Sequence, residues 1–197
     1  MKAVRNLAFV LALVLMGCAQ PPLPQDHFYR VAVAEPDQRL QSPHLNGTLE
    51  VARFLADGLT AGRPIVYSDS GEPNSLFEYH YHFWVQAPTL LLRDALVEYL
   101  RAAGVAKAVV TPELRVDPDF ALAGKIHRLE RVVGAEPNTV VALELSLRET
   151  GTDRLLFLET YRLQIAPVDD SVAGAVNAIN QALSRLFADF TADLSRI

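Results

Sequence analysis

The alternation of apolar and polar residues is clearest in the C-terminal half of the chain. It predicts three long strands, at residues 120–133, 139–149 and 154–165. The turn-forming residues 150–153, Thr-Gly-Thr-Asp, favour a hairpin between the last two of these strands. The pattern is typical of an antiparallel meander with one buried face. The residues predicted on the buried face of the middle strand are Val141, Leu143, Leu145 and Leu147.

The N-terminal half predicts shorter strands with turn signals between them. Residues 68–75 include Gly71, Pro73 and Asn74, so a loop is expected there, followed by a long aromatic strand at residues 76–85. The other strands predicted on either side of this loop are residues 28–34, 49–55, 65–67 and 105–110.

Apolar residues at steps of three and four predict two helices. The first begins at Pro88 and ends at Gly104, and the second follows the capping residues 169–171. The second helix packs across the sheet, or else part of its apolar stripe binds a partner. These elements predict an α+β domain with a mostly antiparallel sheet and two main helices against it. The stripe consists of Val172, Val176, Ile179, Leu183, Leu186, Phe187, Phe190 and Leu194.

The first 17 residues have the layout of a secretory signal peptide. Lys2 and Arg5 precede an apolar run at residues 7–16, which is too short to span a bilayer, because a span needs about 20 residues. The run ends at Gly17 and Cys18, which resemble the lipobox of bacterial lipoproteins. This resemblance implies cleavage before Cys18 and lipid attachment at its sulfur. The alternative is an ordinary secreted protein with an incidental cysteine.

Residues 18–26 form a proline-rich tether that joins the lipidated cysteine to a single domain at residues 27–197. Loss of the signal peptide leaves 16 basic and 23 acidic side chains, a formal charge of −7. Such an acidic surface argues against nucleic acid as a partner and against electrostatic attachment to anionic lipid. Membrane attachment is therefore expected from acyl chains on Cys18.

Only one group of residues suggests metal chemistry. On a strand, Glu78, His80 and His82 point to the same side, and two histidines at this spacing can bind zinc if further ligands converge. The structural interpretation is better supported, because no other histidine has a matching spacing. No catalytic motif is found, so we expect a protein that is not an enzyme and has no cofactor.

The structural interpretation assigns the aromatic residues of the same strand to packing or partner binding. Tyr79, Tyr81 and Phe83 are expected on a buried face, while Trp84 anchors the beginning of the first helix. Tyr79, Tyr81 and Trp84 are the candidates for partner contacts. A less favoured alternative is an internal lipid pocket lined by these aromatic residues and the leucine-rich sheet.

The order of segments from Cys18 to residue 100 resembles a known family. The lipobox and tether are followed by Phe28 and Tyr29, the strand at residues 65–67, and an aromatic strand that runs directly into the helix at residues 90–100. This order resembles the ABC-type transport auxiliary lipoproteins, which include the lipoprotein subunit of the paraquat-inducible MCE transport system.

The resemblance implies a function at the envelope of a Gram-negative bacterium. Members act beside an ABC permease, its ATPase and an MCE-domain protein that carries lipid between the membranes, and the lipoprotein docks this assembly without catalysis. Ala19, in place of aspartate, implies sorting to the periplasmic face of the outer membrane. A homo-oligomer is left open. The alternative function is an envelope-assembly lipoprotein that helps to insert or activate another outer-membrane complex.

Overall fold

The computed structural model describes residues 23–197, so Cys18 and the predicted signal peptide lie outside the described range. Two helices pack against a nine-stranded sheet, which confirms the predicted α+β class. The strands are β1 (His27–Tyr29), β2 (Leu45–Val51), β3 (Leu55–Ala56), β4 (Pro64–Asp69), β5 (Glu72–Trp84), β6 (Ala106–Val110), β7 (Phe120–Val133), β8 (Asn138–Glu149) and β9 (Arg154–Ile165), and the helices are α1 (Pro88–Ala103) and α2 (Val172–Leu194).

β7 organises the sheet, because it pairs with four other strands. Antiparallel β8 covers nearly the whole of one edge, whereas β2, β3 and β4 follow one another along the opposite edge, all parallel to β7. Five of the eight strand pairings in the described chain are parallel, so the prediction of a mostly antiparallel sheet is wrong. The alternation of apolar and polar residues within a strand indicates which face is buried. It does not indicate whether a strand on the other side of α1 in the sequence pairs in a parallel or an antiparallel direction.

The meander of β7, β8 and β9 is confirmed, with nearly the predicted boundaries. The four residues predicted on the inner face of β8 are fully buried. Val140 and Ala142, on the other face, are buried as well, and Val140 is paired with Glu130. Glu130 is itself buried and accepts a hydrogen bond from Ser68 at 3.0 Å. The expectation of one buried face therefore fails in the first half of β8.

The loop predicted at residues 68–75 is a tight hairpin, and β5 begins at Glu72. Asp69 accepts a hydrogen bond from the Gly71 amide at 2.8 Å, which closes the turn. Pro73 is compatible with a strand here because β1 pairs only with residues 82–84, so in the described part of the chain the start of β5 is a free edge. The predicted turn is therefore present, but it includes fewer residues than predicted.

Two predicted N-terminal strands are shorter or broken. The strand predicted at residues 28–34 ends at Tyr29, and the chain then runs beside α2, where the Ala34 amide donates to Ser184 at 2.9 Å. The strand predicted at residues 49–55 is interrupted because Phe54 turns into the core, where it is 1% exposed. Tertiary contacts override the local strand preference at both places.

Both predicted helices are present. α1 begins at Pro88 and ends at Ala103, and it is capped by Gly104, whose φ of 71° is the left-handed conformation that glycine adopts readily. Ser171 caps α2 by accepting a hydrogen bond from the Gly174 amide at 2.9 Å. The apolar stripe of α2 is buried in the core, so it is not a free partner-binding face. Among residues 23–197, no helix combines the length and apolar character of a membrane span.

Candidate functional site

The exposed aromatic side chains of the described chain lie on β1 and β5, the part of the sheet nearest the predicted tether. Phe28 is 56% exposed, Phe77 is 40% exposed and Tyr81 is 44% exposed. Exposed rings of this size, gathered on two neighbouring strands, are typical of a contact surface. β1 and β5 are therefore the candidate functional site.

A bulge in β5 determines which of its rings are exposed. Glu78 pairs with Val66, but Phe83 pairs with Pro64, so five steps of β5 face two steps of β4. The bulge breaks the strict alternation on which the sequence interpretation depended. Phe83 is half-buried but Tyr81 is largely exposed, so the prediction that Tyr79, Tyr81 and Phe83 share a buried face is wrong at Tyr81.

Six rings form a continuous aromatic row from β1 to the β4–β5 hairpin. Neighbouring rings have centroids 4.5 to 5.8 Å apart, which is the range of favourable aromatic pairs. The row begins at an exposed histidine next to the tether and ends at exposed Phe77. His27 and Tyr29 both lie against His82, and the aromatic row continues from His82 through Tyr79 and Tyr67 to Phe77.

The row attaches the first strand to the rest of the sheet. His27 stacks on His82 with centroids 5.0 Å apart, and the hydroxyl of Tyr29 lies 2.9 Å from Nδ1 of His82. Burial lowers the pKa of His82, and the neighbouring charge of His27 lowers it further. The imidazole is therefore kept neutral over a wider pH range, in the form that can accept a hydrogen bond from the Tyr29 hydroxyl.

The candidate metal ligands are not brought together. His82 stacks between rings of β1 and β5, whereas His80 is exposed and contacts Tyr81 edge-on at 6.5 Å. No group of three or more His, Cys, Asp or Glu side chains in the range 23–197 has the geometry of a metal site. The arrangement of Glu78, His80 and His82 therefore lacks the convergence on which the zinc hypothesis depended.

Tyr79 connects the aromatic row to the beginning of α2 through a buried arginine. Arg131 is 6% exposed and donates from Nη1 to the Tyr79 hydroxyl at 2.9 Å. Its Nη2 donates to the backbone carbonyl of Asp170 at 2.9 Å and also pairs with the Asp170 carboxylate. Burial raises the pKa of Tyr79, so its hydroxyl stays protonated. Sequence reasoning missed Arg131, because only strand register reveals its position.

Trp84 is structural. It is the last residue of β5 and is 1% exposed. Its amide donates to the Arg63 carbonyl at 2.8 Å, and Arg63 Nε donates back to the Trp84 carbonyl at 3.1 Å. These contacts join the end of β5 to the residue before β4, and the buried indole is not accessible to a partner. Its role in anchoring the beginning of α1 stays a prediction.

The described residues favour a packed core over an internal lipid pocket. The described residues form surface grooves of about 240 to 380 Å³, at the lower end of the roughly 300–1,000 Å³ of typical ligand pockets, and these grooves are open to solvent. The space between sheet and helices is filled by side chains such as Leu143, Leu183 and Phe187, each fully buried. The leucine-rich face of the sheet is therefore core.

Comparison with known proteins identifies the family. A protein-family model described as "ABC-type transport auxiliary lipoprotein component" matches residues 29–190. The chain belongs to this family. The family resemblance predicted from the sequence is thereby confirmed, and an auxiliary lipoprotein component fits both a membrane-anchored envelope protein and the expectation that it is not an enzyme. A comparison with curated proteins finds no match.

Solved structures support the fold of this auxiliary lipoprotein. A crystal structure of a Xanthomonas campestris protein of family DUF330 is 22% identical, covers 84% of this chain and 92% of its own, and has a TM-score of 0.73. A second crystal structure, of an uncharacterised protein, is 17% identical, covers 87% of this chain and 97% of its own, and has a TM-score of 0.63. At these identities the likeness shows the fold alone.

Proposed function

We propose that this auxiliary lipoprotein is anchored in the outer membrane through Cys18 and serves as the non-catalytic docking subunit of an MCE-type lipid transport system. The observation that carries the proposal is the family match over residues 29–190, which begins shortly after the lipobox-like Gly17 and Cys18. The domain would hold an MCE-domain protein at the membrane, and the ABC permease and ATPase would act through that protein.

Acyl chains provide the attachment in this proposal. The mature charge of −7 opposes binding to anionic lipid, whereas each buried CH₂ contributes about 0.8 kcal/mol. Several acyl chains on Cys18 therefore hold the domain firmly without help from surface charge. Ala19, directly after the cysteine, supports sorting to the outer membrane with the domain on its periplasmic side.

The free edge of β9 is the surface that we assign to the MCE-domain partner. Within residues 23–197, β9 pairs only with β8, and the strand order β1-β5-β4-β7-β8-β9 places it at the opposite end of this path from β1. Exposed edges of this length can bind a strand of another protein through backbone hydrogen bonds. Leu155 and Leu158, 57% and 55% exposed, supply apolar contacts beside that edge.

Two substitutions distinguish the lipid attachment of the protein from its sorting to the outer membrane. Cys18→Ser removes the acceptor sulfur, so the protein should leave the membrane fraction and lipid transport should be lost while the domain stays folded. Ala19→Asp keeps the sulfur, so the protein should stay membrane-bound but move to the inner membrane and fail to dock its partner. Ala19→Ser is the matched control and should behave as wild type. Normal transport by Cys18→Ser would contradict the proposal.

A further inference from the structure

The exposed aromatic residues lie where the chain leaves the domain for its anchor. β1 runs parallel to β5, and His27 is opposite His82. The chain therefore approaches β1 from the side occupied by the earlier residues of β5, which include Phe77 and Tyr81. Phe28 lies on β1 itself. Phe28 lies between His27 and Tyr29, so it points to the sheet face opposite the aromatic row, whereas Phe77 belongs to that row. The three residues therefore lie on both sides of the edge that β1 and the first part of β5 form, and we call them the anchor-side patch.

The tether is short enough to keep this patch close to the membrane. From Cys18 to His27 the chain advances nine residues, which span at most about 30 Å when fully extended. A lipid on Cys18 thus holds β1 within about that distance of the bilayer. Surfaces at the β9 edge have no such restriction, because they lie at the other end of the strand path.

The chemistry of the anchor-side patch suits the headgroup region of a bilayer. Tyr81 is amphipathic, and tyrosine prefers that region because its ring is apolar and its hydroxyl stays wet. Phe28 and Phe77 have no polar group, and they contribute apolar area that is buried at the boundary between headgroups and acyl chains. The guanidinium of Arg63 lies 5.6 Å from the Phe28 ring centroid, so a cation is positioned beside the patch to bind a lipid phosphate. Asp69 and Glu72 at the hairpin turn oppose deeper insertion, since carboxylates are costly to bury in hydrocarbon.

We propose that Phe28, Phe77 and Tyr81 rest in the headgroup region of the membrane and fix the orientation of the anchored domain. The inference rests on the proposed lipid attachment at Cys18. In this orientation β1 and β5 face the bilayer, and the β9 edge is presented to the periplasm. The domain is thereby held in one orientation instead of rotating freely on its tether.

Tryptophan fluorescence in vesicles tests the orientation directly. The mature lipidated protein is reconstituted in phosphatidylethanolamine–phosphatidylglycerol vesicles with or without brominated acyl chains, which quench nearby indoles. Phe28→Trp, Phe77→Trp and Tyr81→Trp each place a probe in the patch, and Leu158→Trp is the matched control because it is similarly exposed on β9. Trp84, the single native tryptophan, is buried and gives a constant background.

We expect brominated lipid to quench the three patch probes more strongly than it quenches wild type, while Leu158→Trp matches wild type. Vesicle flotation is measured on the same samples, and circular dichroism selects the probes that fold. Flotation without extra quenching at the patch, or equal quenching at residue 158, would overturn the orientation alone. Failure of wild type to float would overturn the Cys18 anchor and this inference with it.

Discussion

The hydroxyl of Tyr29 lies 2.9 Å from Nδ1 of His82 and joins the first strand of the domain to β5. β1 has only three residues, so few backbone hydrogen bonds hold it in the sheet. The same three residues connect the domain to the tether. The side-chain hydrogen bond and the adjoining His27 stack therefore reinforce the point through which an anchor would pull on the domain.

We predict that the stability of the domain falls as the pH falls through the ordinary histidine range. The pKa of His82 is lowered from 6.5 in the folded protein, so the unfolded chain binds a proton first. The contribution of this group is complete above that range and is lost progressively below it. Chemical denaturation between about pH 7.5 and about pH 5.5 should show a declining free energy of unfolding.

His82→Phe tests the assignment of this pH dependence. The substitution keeps a ring in the stack but removes the titrating group, so the decline in unfolding free energy with falling pH should be smaller. His80→Phe removes an exposed histidine from the same strand and leaves the Tyr29 contact in place. If His82→Phe and wild type show the same pH dependence, His82 is not responsible.

Gly124→Ala should destabilise the domain by about 1–3 kcal/mol, because it forces a side chain into a filled site. A Cβ at residue 124 would lie 2.6 Å from a ring carbon of Phe54, which is 1% exposed. This contact forms where β3 meets β7. Gly151→Ala is the control, since a Cβ there meets no atom within 4 Å. Equal free energies of unfolding for the two variants would contradict this prediction and show that the Phe54 ring can move away from residue 124 without destabilising the domain.

Leu158→Arg should weaken binding of the MCE-domain partner about tenfold, equivalent to about 1.4 kcal/mol, if β9 is the docking edge. Leu158 is 55% exposed, so the folded domain should tolerate the charge. Leu114→Arg is the matched control, because Leu114 is 56% exposed on a different element. Binding is measured by titrating purified partner onto each vesicle-anchored variant. Equal loss in both variants would point to a general charge effect.

The parts of the fold that were predicted correctly depend on local pattern. β7 and β9 have the predicted boundaries because each pairs with β8, which is adjacent to both in the sequence. The end of α1 before Gly104 was likewise predicted from the local sequence. The register and direction of the pairings between β7 and strands before α1 were not predictable. These parallel neighbours are far from β7 in the sequence and meet it only when the chain has folded.

The candidate site was predictable only in part. The aromatic content of β5 was evident from the sequence. The bulge that exposes Tyr81 and the cross-strand contacts of His27 and Arg131 arise from pairings between distant strands. No spacing within a single strand signals them. Cys18 lies outside the described residues, so its lipid attachment stays a prediction.

Purification of the lipidated protein from outer membranes, with its bound partners identified by mass spectrometry, tests the central claim most directly. We predict that an MCE-domain protein is recovered with wild type, is depleted with Leu158→Arg and is retained with Leu114→Arg. Recovery of an outer-membrane assembly complex in place of an MCE-domain protein would contradict the transport account and favour the envelope-assembly alternative.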